Sequence, residues 1–484
     1  MMGHIRKRAL FVLIPFLLLS FGCRPSVRMP SPEELGFRIP PGFDSAAGGE
    51  AFAPAPWWRD FGDPSLEKVV DKVIASNFDV RESEARIEEL AALFSAAGAG
   101  MYPSLDFSGR WSRSKIVYRG FGGGEIKSIV SNYEVDLVPS YEVDLWGKVR
   151  EGKKGSFYDY LSSQQTFHAV VESAVAEAVS KTLEASFLAR ERALMRERVE
   201  TAEKLLEAVE SRFRRGIAPL SDVLQARRNL RTLSSLLPPV ERRLDAVRRE
   251  LHLLLGEYPS GKGIPEVRLI DPRDLHPVPP GLPSDLLKRR PDIQAAESAL
   301  RAQYHRVFEA WKKRFPSITL SASAGYSSDE LKSLFDPASE IWNVAVGIVA
   351  PIFRGGALKA LQEAEEARFR QFAVRYARTI LQAFYEVEVG LSTEESLFRE
   401  REERVKEVEA ARDSLEAVKA RYEKGLEPFL SLLEAQEKFD SSRVSLLETD
   451  LAIVKNRIFL YRALGGWSFA ALEGKRERTG RQVK

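Results

Sequence analysis

The chain has few of the side chains on which catalytic and metal sites depend. Its 484 residues include one cysteine and five histidines, with neither a His-Glu-x-x-His nor a Cys-x-x-Cys spacing. The glycine-rich loop Gly120–Gly124 lies between two predicted strands, whereas a phosphate-binding loop leads from a strand into a helix. We therefore expect no enzyme activity, no cofactor and no metal site, and a single cysteine excludes internal disulfides.

The chain also has little net charge. The formal value is +3, and this excess comes from Arg6, Lys7 and Arg8, because residues 1–22 contain no acidic residue. No stripe of Lys or Arg with interleaved aromatic residues occurs, so we expect no nucleic-acid partner.

The N-terminus has the pattern of a bacterial export signal. The three basic residues precede an apolar stretch from Ala9 to Ser20, about 12 residues long and therefore too short to cross a bilayer as a helix. Cys23 follows where such a signal ends, in an arrangement that resembles a lipobox. We interpret residues 1–22 as a lipoprotein signal peptide and Cys23 as the lipidated, palmitate-bearing N-terminus. The alternative is an ordinary cleaved signal followed by a chance cysteine.

Proline, although it occurs 26 times, is absent from two long stretches, Gly147–Arg214 and Gly355–Lys424. Apolar residues recur there at helical spacing, and about 65 residues at ~1.5 Å each give a helix of roughly 100 Å. Such a helix needs lateral packing. A second helix follows each turn, over 220–256 and 429–465, and Pro238-Pro239 predicts a kink or break in the first of these.

The second half of the chain repeats the first. The segment Arg212–Pro219 aligns with Arg421–Pro428, so that Arg, Gly and Pro coincide. Each half has the same predicted order of helix, two strands, very long helix, turn and long helix, which indicates a pseudo-symmetric molecule. The first helices are predicted over 64–98 and 283–313.

The four predicted strands cover residues 105–117, 129–145, 317–327 and 341–353. In the second strand, apolar residues alternate with the acids Glu134, Asp136, Glu142 and Asp144. This period-two pattern is typical of a strand between lipid and a wet lumen, and a half-buried strand of a soluble sandwich is the alternative. Because four strands cannot close a barrel and open edges are not tolerated in hydrocarbon, several copies must pool their strands.

Four motifs occur in order along this repeat: Trp57–Leu66, Tyr141–Arg150, Arg289–Ile293 and Pro351–Gly356. With the duplicated turns, they resemble the TolC-like outer-membrane efflux proteins, in particular the OprM/NodT-type lipoprotein branch. The resemblance covers nearly the whole mature chain. It implies a mixed, mainly α fold, with four strands per chain in a trimeric 12-stranded outer-membrane β-barrel. A long periplasmic α-helical barrel with the internal two-fold repeat continues it.

The resemblance divides the chain into six segments. They are the signal peptide 1–22, an N-terminal part of an equatorial belt 23–63, repeat one 64–256, a Pro-rich belt linker 257–282, repeat two 283–465 and a C-terminal tail 466–484.

The resemblance also implies functional residues. The turn residues Gly216, Ile217, Gly425 and Leu426 would contact a periplasmic adaptor. Leu430 and Glu434, one helical turn apart, would ring a periplasmic gate, and three carboxylates there would favour cations.

The implied function is the outer-membrane channel of a tripartite efflux system. It would be a passive exit duct for small molecules, lipid-anchored in the outer membrane of a Gram-negative-type bacterium. Its partners would be two further copies of the chain, the adaptor, an inner-membrane pump and outer-membrane lipid. The alternatives are the exit duct of a type I protein secretion system and, in a different class, a periplasmic adaptor lipoprotein.

Overall fold

The computed structural model describes residues 24–45, 55–119, 125–264 and 267–467. The predicted signal peptide with Cys23, the loop 120–124 and the tail from residue 468 lie outside these ranges. In chain order, the described helices and strands are α1 (Ser65–Ser76), α2 (Phe78–Ala99), β1 (Ser104–Arg119), β2 (Glu125–Val143), α3 (Lys148–Arg214), α4 (Leu220–Leu254), α5 (Pro283–Arg289), α6 (Pro291–Lys312), β3 (Ser317–Ser328), β4 (Glu340–Val349), α7 (Ala357–Glu423) and α8 (Phe429–Ala463).

The two long proline-free stretches each form one continuous helix of 67 residues, α3 and α7. The returning helices α4 and α8 have 35 residues each. Of the kink or break predicted in α4, the break is wrong, since the helix continues through Pro238 and Pro239. Leu244 and Val247 of α4 pack in one buried cluster with residues of α3. This burial offsets the backbone hydrogen bonds that the two prolines cannot donate.

The first helix of each repeat is divided in two, where the sequence predicted one helix. Asn77 separates α1 from α2 with an extended backbone, and its Oδ1 accepts hydrogen bonds from the amides of Asp79 (2.9 Å) and Val80 (3.1 Å). Arg290 separates α5 from α6. It precedes Pro291, and the residue before a proline disfavours helical geometry.

Two compact units make up the chain, and each takes residues from both sequence repeats. Unit one comprises residues up to 36, 87–163 and 296–376, and it contains the sheet. Unit two comprises residues 37–86, 164–295 and those from 377 onward. Among the described helices, none is both long and apolar enough to cross a membrane.

The sheet of unit one is antiparallel, with strand order β1-β2-β3-β4. Directly paired residues lie on the same face of a sheet. The register links Phe107 to Leu137, Leu137 to Ala324, and Ala324 to Trp342. One face is therefore apolar across all four strands, and many of its larger side chains are exposed: Leu105, Phe107, Trp111, Leu137, Leu320, Trp342, Val344, Val346 and Ile348.

The opposite face is mainly polar, and it includes Glu134, Asp136 and Glu142, as their alternation with apolar residues predicted. Asp144 does not belong to it, which corrects its assignment as a strand acid. β2 ends at Val143, and the carboxylate of Asp144 accepts hydrogen bonds from the amides of Val149 and Arg150 (3.0 Å each). It caps the N-terminus of α3, whose free N–H groups attract a carboxylate.

The N-terminal segment of unit one packs on the helices next to the sheet. Val27, Met29 and Leu35 lie against a buried cluster formed by α6 and α7. The guanidinium of Arg24 lies 5.6 Å from the ring centroid of Phe308. The first described residues are therefore held on the helical surface.

In unit two, the Pro-rich linker is tied to α7 and α8 by two arginines, of which Arg457 is buried and Arg401 is partly buried. Arg457, 1% exposed, bonds to Glu394 and to the carbonyl oxygen of His276. Arg401 bridges Asp450 (2.6 Å) and Asp271 of the linker (3.2 Å). These contacts satisfy the buried charges and hold the linker in place.

Gly325 permits the close pairing of β2 and β3, because a Cβ atom there would overlap the carbonyl oxygen of Val135. We expect Gly325→Ala to destabilise the protein by about 1–3 kcal/mol, measured as a lower midpoint of thermal unfolding. Gly347→Ala is the matched control on the same face, since the nearest atom would lie 3.9 Å away. Equal midpoints for the two variants would contradict the assigned register.

The pKa of Asp271 is lowered to about 2, mainly by its hydrogen bond with the side chain of Arg273 and also by Arg401. This contribution to stability is present above the ordinary carboxyl pKa and is lost as pH falls toward 2. We expect Asp271→Asn to reduce the free energy of unfolding by about 0.5–1 kcal/mol at pH 7. The difference should shrink at pH 3, whereas Asp274→Asn, at an exposed residue of the same turn, should change little at either pH.

Candidate functional site

The two turns that end α3 and α7 have the same backbone geometry. Gly216 and Gly425 both have φ of 74°, a left-handed conformation that favours glycine. The next amides close matching hydrogen bonds, from Ile217 to the carbonyl of Arg212 and from Leu426 to that of Arg421 (2.9 Å each). This arrangement satisfies carbonyls at the helix end and turns the chain back.

Each turn presents one apolar side chain to solvent, because Ile217 is 59% and Leu426 is 64% exposed. Arg215 and Lys424, which precede the glycines, are exposed too. The predicted contact residues therefore form two similar tips, each with an apolar residue beside a cation.

Packing between the hairpins decides which face of α8 remains free. Phe429 joins Val209, Val223 and Ala226 of the first hairpin in a buried cluster, with Leu433 at its margin. Leu430 is 45% exposed, and Glu434 is exposed one turn later. The structure thus brings the two predicted gate residues together on a face that the chain's own first hairpin does not cover.

The aligned positions of the first hairpin differ in chemistry. Ser221 is exposed, and Gln225 is half-buried. Gln225 Oε1 is buried without a hydrogen-bond partner among the described residues. Of the two aligned pairs, only the pair on the second hairpin therefore combines an apolar residue with an acid.

The strand acids lie in different surroundings on the polar face. Glu134 pairs with Arg110 in the register, and Glu142 forms an ion pair with Lys148 at 2.6 Å. Asp136 is 8% exposed opposite Gly325, and its Oδ1 has no hydrogen-bond partner within the described chain. Among the strand acids, Asp136 is thus the one with a buried oxygen that lacks a hydrogen-bond partner in the described chain.

The sequence analysis did not predict a cluster of charged residues in unit two. We call this cluster, formed by Arg290, Asp292 and Glu386 at the end of α8, the joint of repeat two. Arg290 bonds Asp292 through two nitrogens (2.7 and 3.0 Å), Glu386 (2.7 Å) and the carbonyl of Ala463 (3.1 Å). Arg290 and Asp292 were noted only as part of a motif that resembles the family. The helix spacing of α7 could not indicate that Glu386 meets them.

The described residues contain no group of three or more His, Cys, Asp or Glu side chains arranged to hold a metal ion. The features that the structure does present are an apolar sheet face, paired helical hairpins and two tips.

Comparisons with known proteins agree with these features. The family model for outer membrane efflux proteins matches residues 69–257 and 282–466. The solvent efflux pump outer membrane protein SrpC of Pseudomonas putida is 31% identical over 84% of this chain and 87% of its own length. The probable outer membrane lipoprotein SilC of Salmonella typhimurium is 30% identical over the same shares.

Among solved structures, the open state of the MtrE outer membrane channel of Neisseria gonorrhoeae superposes with a TM-score of 0.78. It is 26% identical and covers 91% of this chain and 97% of that chain. The mainly α fold with four strands per chain, which the resemblance to TolC-like proteins predicted, is confirmed. The chain belongs to the outer membrane efflux protein family and is an outer-membrane efflux channel.

Proposed function

We propose that three copies of this chain form the exit duct of a tripartite efflux system, through which small molecules pass without chemical change. The observation that carries the proposal is the sheet, with one apolar face and two unpaired edges. In hydrocarbon, unpaired backbone N–H and C=O groups cost several kcal/mol each, so the edges need partners.

A ring of copies supplies those partners. Within the described residues, β1 pairs only with β2 and β4 only with β3. Joining β4 of one copy to β1 of the next leaves no edge, and three copies give 12 strands, an even number found in outer-membrane barrels. The apolar face then meets lipid and the face with Glu134, Asp136 and Glu142 lines the lumen. These acids favour a cation-preferring lumen.

The adaptor contact is assigned to the two tips. Ile217 and Leu426 are exposed apolar residues at the ends of rigid hairpins, and exposed apolar residues surrounded by polar ones are typical of protein contact sites. The fixed turns at Gly216 and Gly425 support this assignment, because a preorganised surface loses little entropy on binding. An inner-membrane pump would deliver the substrates.

The gate is assigned to Leu430 and Glu434. In a ring of three copies, the free face of α8 would turn three leucines and three glutamates toward the axis. The leucines would form an apolar constriction, and the carboxylates would repel anions.

We expect Leu430→Ala combined with Glu434→Ala to raise single-channel conductance in planar bilayers and to weaken cation selectivity. The protein is purified in detergent, and its mass is determined first to count the copies. Ser221→Ala with Gln225→Ala is the matched control, because it changes the aligned positions of the first hairpin. A pore indifferent to the first pair would remove the gate assignment, and soluble protein without conductance would contradict the duct.

Lipidation is assigned to Cys23. The residue itself lies outside the described ranges, but Arg24 lies over Phe308, four residues before the end of α6. β3 begins shortly after that helix, at Ser317. Arg24, the residue after Cys23, is therefore held on the helix that leads into β3. We infer that acyl chains on Cys23 would enter the bilayer beside the sheet.

We expect wild-type protein from cells fed labelled palmitate to carry the label, and Cys23→Ser protein to carry none. A single acyl group binds membranes only marginally, so lipidation is expected to add to the barrel's own insertion. Ser26→Ala, at a nearby exposed residue, is the control and should keep the label. Labelling of Cys23→Ser protein would contradict the assignment.

A further inference from the structure

The two repeats use different hydrogen-bond donors to hold the C-terminal end of their last helix. In repeat one, the side-chain Nδ2 of Asn77 donates to the carbonyl oxygen of Leu254, the last residue of α4, at 2.9 Å. In repeat two, Arg290 donates to the carbonyl oxygen of Ala463, the last residue of α8, at 3.1 Å. A neutral amide and a guanidinium therefore hold equivalent backbone acceptors.

Acids surround the guanidinium and accept three of its four hydrogen bonds. Arg290 is 7% exposed and is held by Asp292 of α6 and Glu386 of α7. A buried arginine with this number of hydrogen bonds is well compensated. The fourth hydrogen bond goes to the carbonyl oxygen of Ala463, and none of the four goes to Glu172.

Glu172 of α3 is the acid left over. Its carboxyl group lies against Gly466, where φ is 58° and a Cβ atom would overlap Glu172 Oε1. Within the described chain, no hydrogen bond or ion pair involves the Glu172 side chain. A cavity of about 180 Å³ adjoins it, and its ionisable lining groups are Glu172, Arg290, Asp292, Glu386 and Arg462.

These groups represent all four helices packed at the joint. α3 contributes Glu172, the start of α6 contributes Asp292 with Arg290 before it, α7 contributes Glu386 and α8 contributes Arg462. Arg462 is exposed and lies 5.8 Å from the ring centroid of Phe459. Burial and the nearby Asp292 raise the pKa of Glu172 to about 8, although Arg290 and Arg462 oppose the change. The raised pKa favours the neutral form of the Glu172 carboxyl group.

The positions aligned with Glu172 and Arg462 are apolar. The alignment that places Gly216 on Gly425 puts Leu381 opposite Glu172 and Leu253 opposite Arg462. Both leucines are substantially exposed, at 49% and 63%. The acid and the arginine therefore have no charged counterparts at the aligned positions.

We propose that Glu172 makes the joint of repeat two pH-dependent, so that ionisation of its carboxyl group weakens the contact between α3 and the end of α8. The neutral carboxyl packs against Gly466, whereas the charged form adds a negative charge to the cavity that Asp292 and Glu386 also line, without a hydrogen bond from the described residues to hold it. α8 also carries Leu430 and Glu434. An effect on conductance rests on the proposed gate, whereas the titration of the joint does not.

The first test compares thermal unfolding of the wild type, Glu172→Gln and Glu177→Gln across pH 5 to 9. Glu177 is an exposed residue of the same helix and serves as the control. The raised pKa means that the native state resists ionisation, so stability is lost as pH rises from the ordinary carboxyl pKa toward about 8. Glu172→Gln should therefore gain midpoint temperature over the wild type with rising pH, with no further gain above pH 8.

Glu177→Gln should follow the wild type at every pH. Parallel curves for the wild type and Glu172→Gln would overturn the proposal. Infrared difference spectra provide a readout that a purely structural role would not change. A protonated-carboxyl C=O band should disappear between pH 7 and 9 in the wild type and be missing from Glu172→Gln. A band that stays in the variant would assign the titration to another acid.

The second test records conductance over the same pH range. Wild-type and Glu177→Gln channels should open more above pH 8, and Glu172→Gln channels should not. Identical profiles for the three proteins would overturn the link to the channel. If the double variant at Leu430 and Glu434 disproves the gate, the unfolding curves still decide whether the joint titrates.

Discussion

The pairing of backbone groups at the sheet edges is the constraint on which the rest of this structure depends. Hydrocarbon offers no hydrogen-bond partners, so a four-stranded sheet with free edges is acceptable there only when other copies complete it. The exposed apolar residues Phe107, Leu137 and Trp342 fit that setting, because they lie on one face across the paired strands. The sheet therefore couples insertion into the membrane to assembly of several copies. The hairpins of each copy are then repeated around the same ring.

Duplication gives one backbone plan twice, and the side chains then make the copies different. Gly216 and Gly425 have the same φ and the same turn, so the tips are alike. Above them, Leu430 and Glu434 replace Ser221 and Gln225. We therefore expect functional residues at aligned positions where the two repeats carry different side chains. Positions with the same side chain in both repeats are sufficient for the shared fold.

Buried charge is concentrated in unit two, mainly in repeat two and at the linker. Arg290, Arg401 and Arg457 are each held by two acids or by an acid and backbone carbonyls. Removing one member of such a set leaves a buried ion without compensation, which costs about 3–5 kcal/mol. These sets connect segments that are far apart in the sequence. They therefore hold the relative positions of those segments more specifically than apolar packing alone would. Glu172 lies beside the set around Arg290, and its side chain has no hydrogen-bond or ion-pair partner among the described residues.

Periodicity alone determined much of this protein. Absent prolines and helical spacing predicted α3 and α7, and period-two alternation predicted strands with one apolar face. The motifs identified the family. These features are local, because backbone geometry repeats every few residues and a sequence pattern records which face is buried.

Tertiary structure alone decided the rest. It continued α4 through Pro238 and Pro239, because packing against α3 outweighed the lost hydrogen bonds. It moved Asp144 from the strand to a helix cap, and it brought Glu172 to Gly466 beside Arg290. Such contacts join residues far apart in the chain, and their burial and charge balance come into being only when the helices pack.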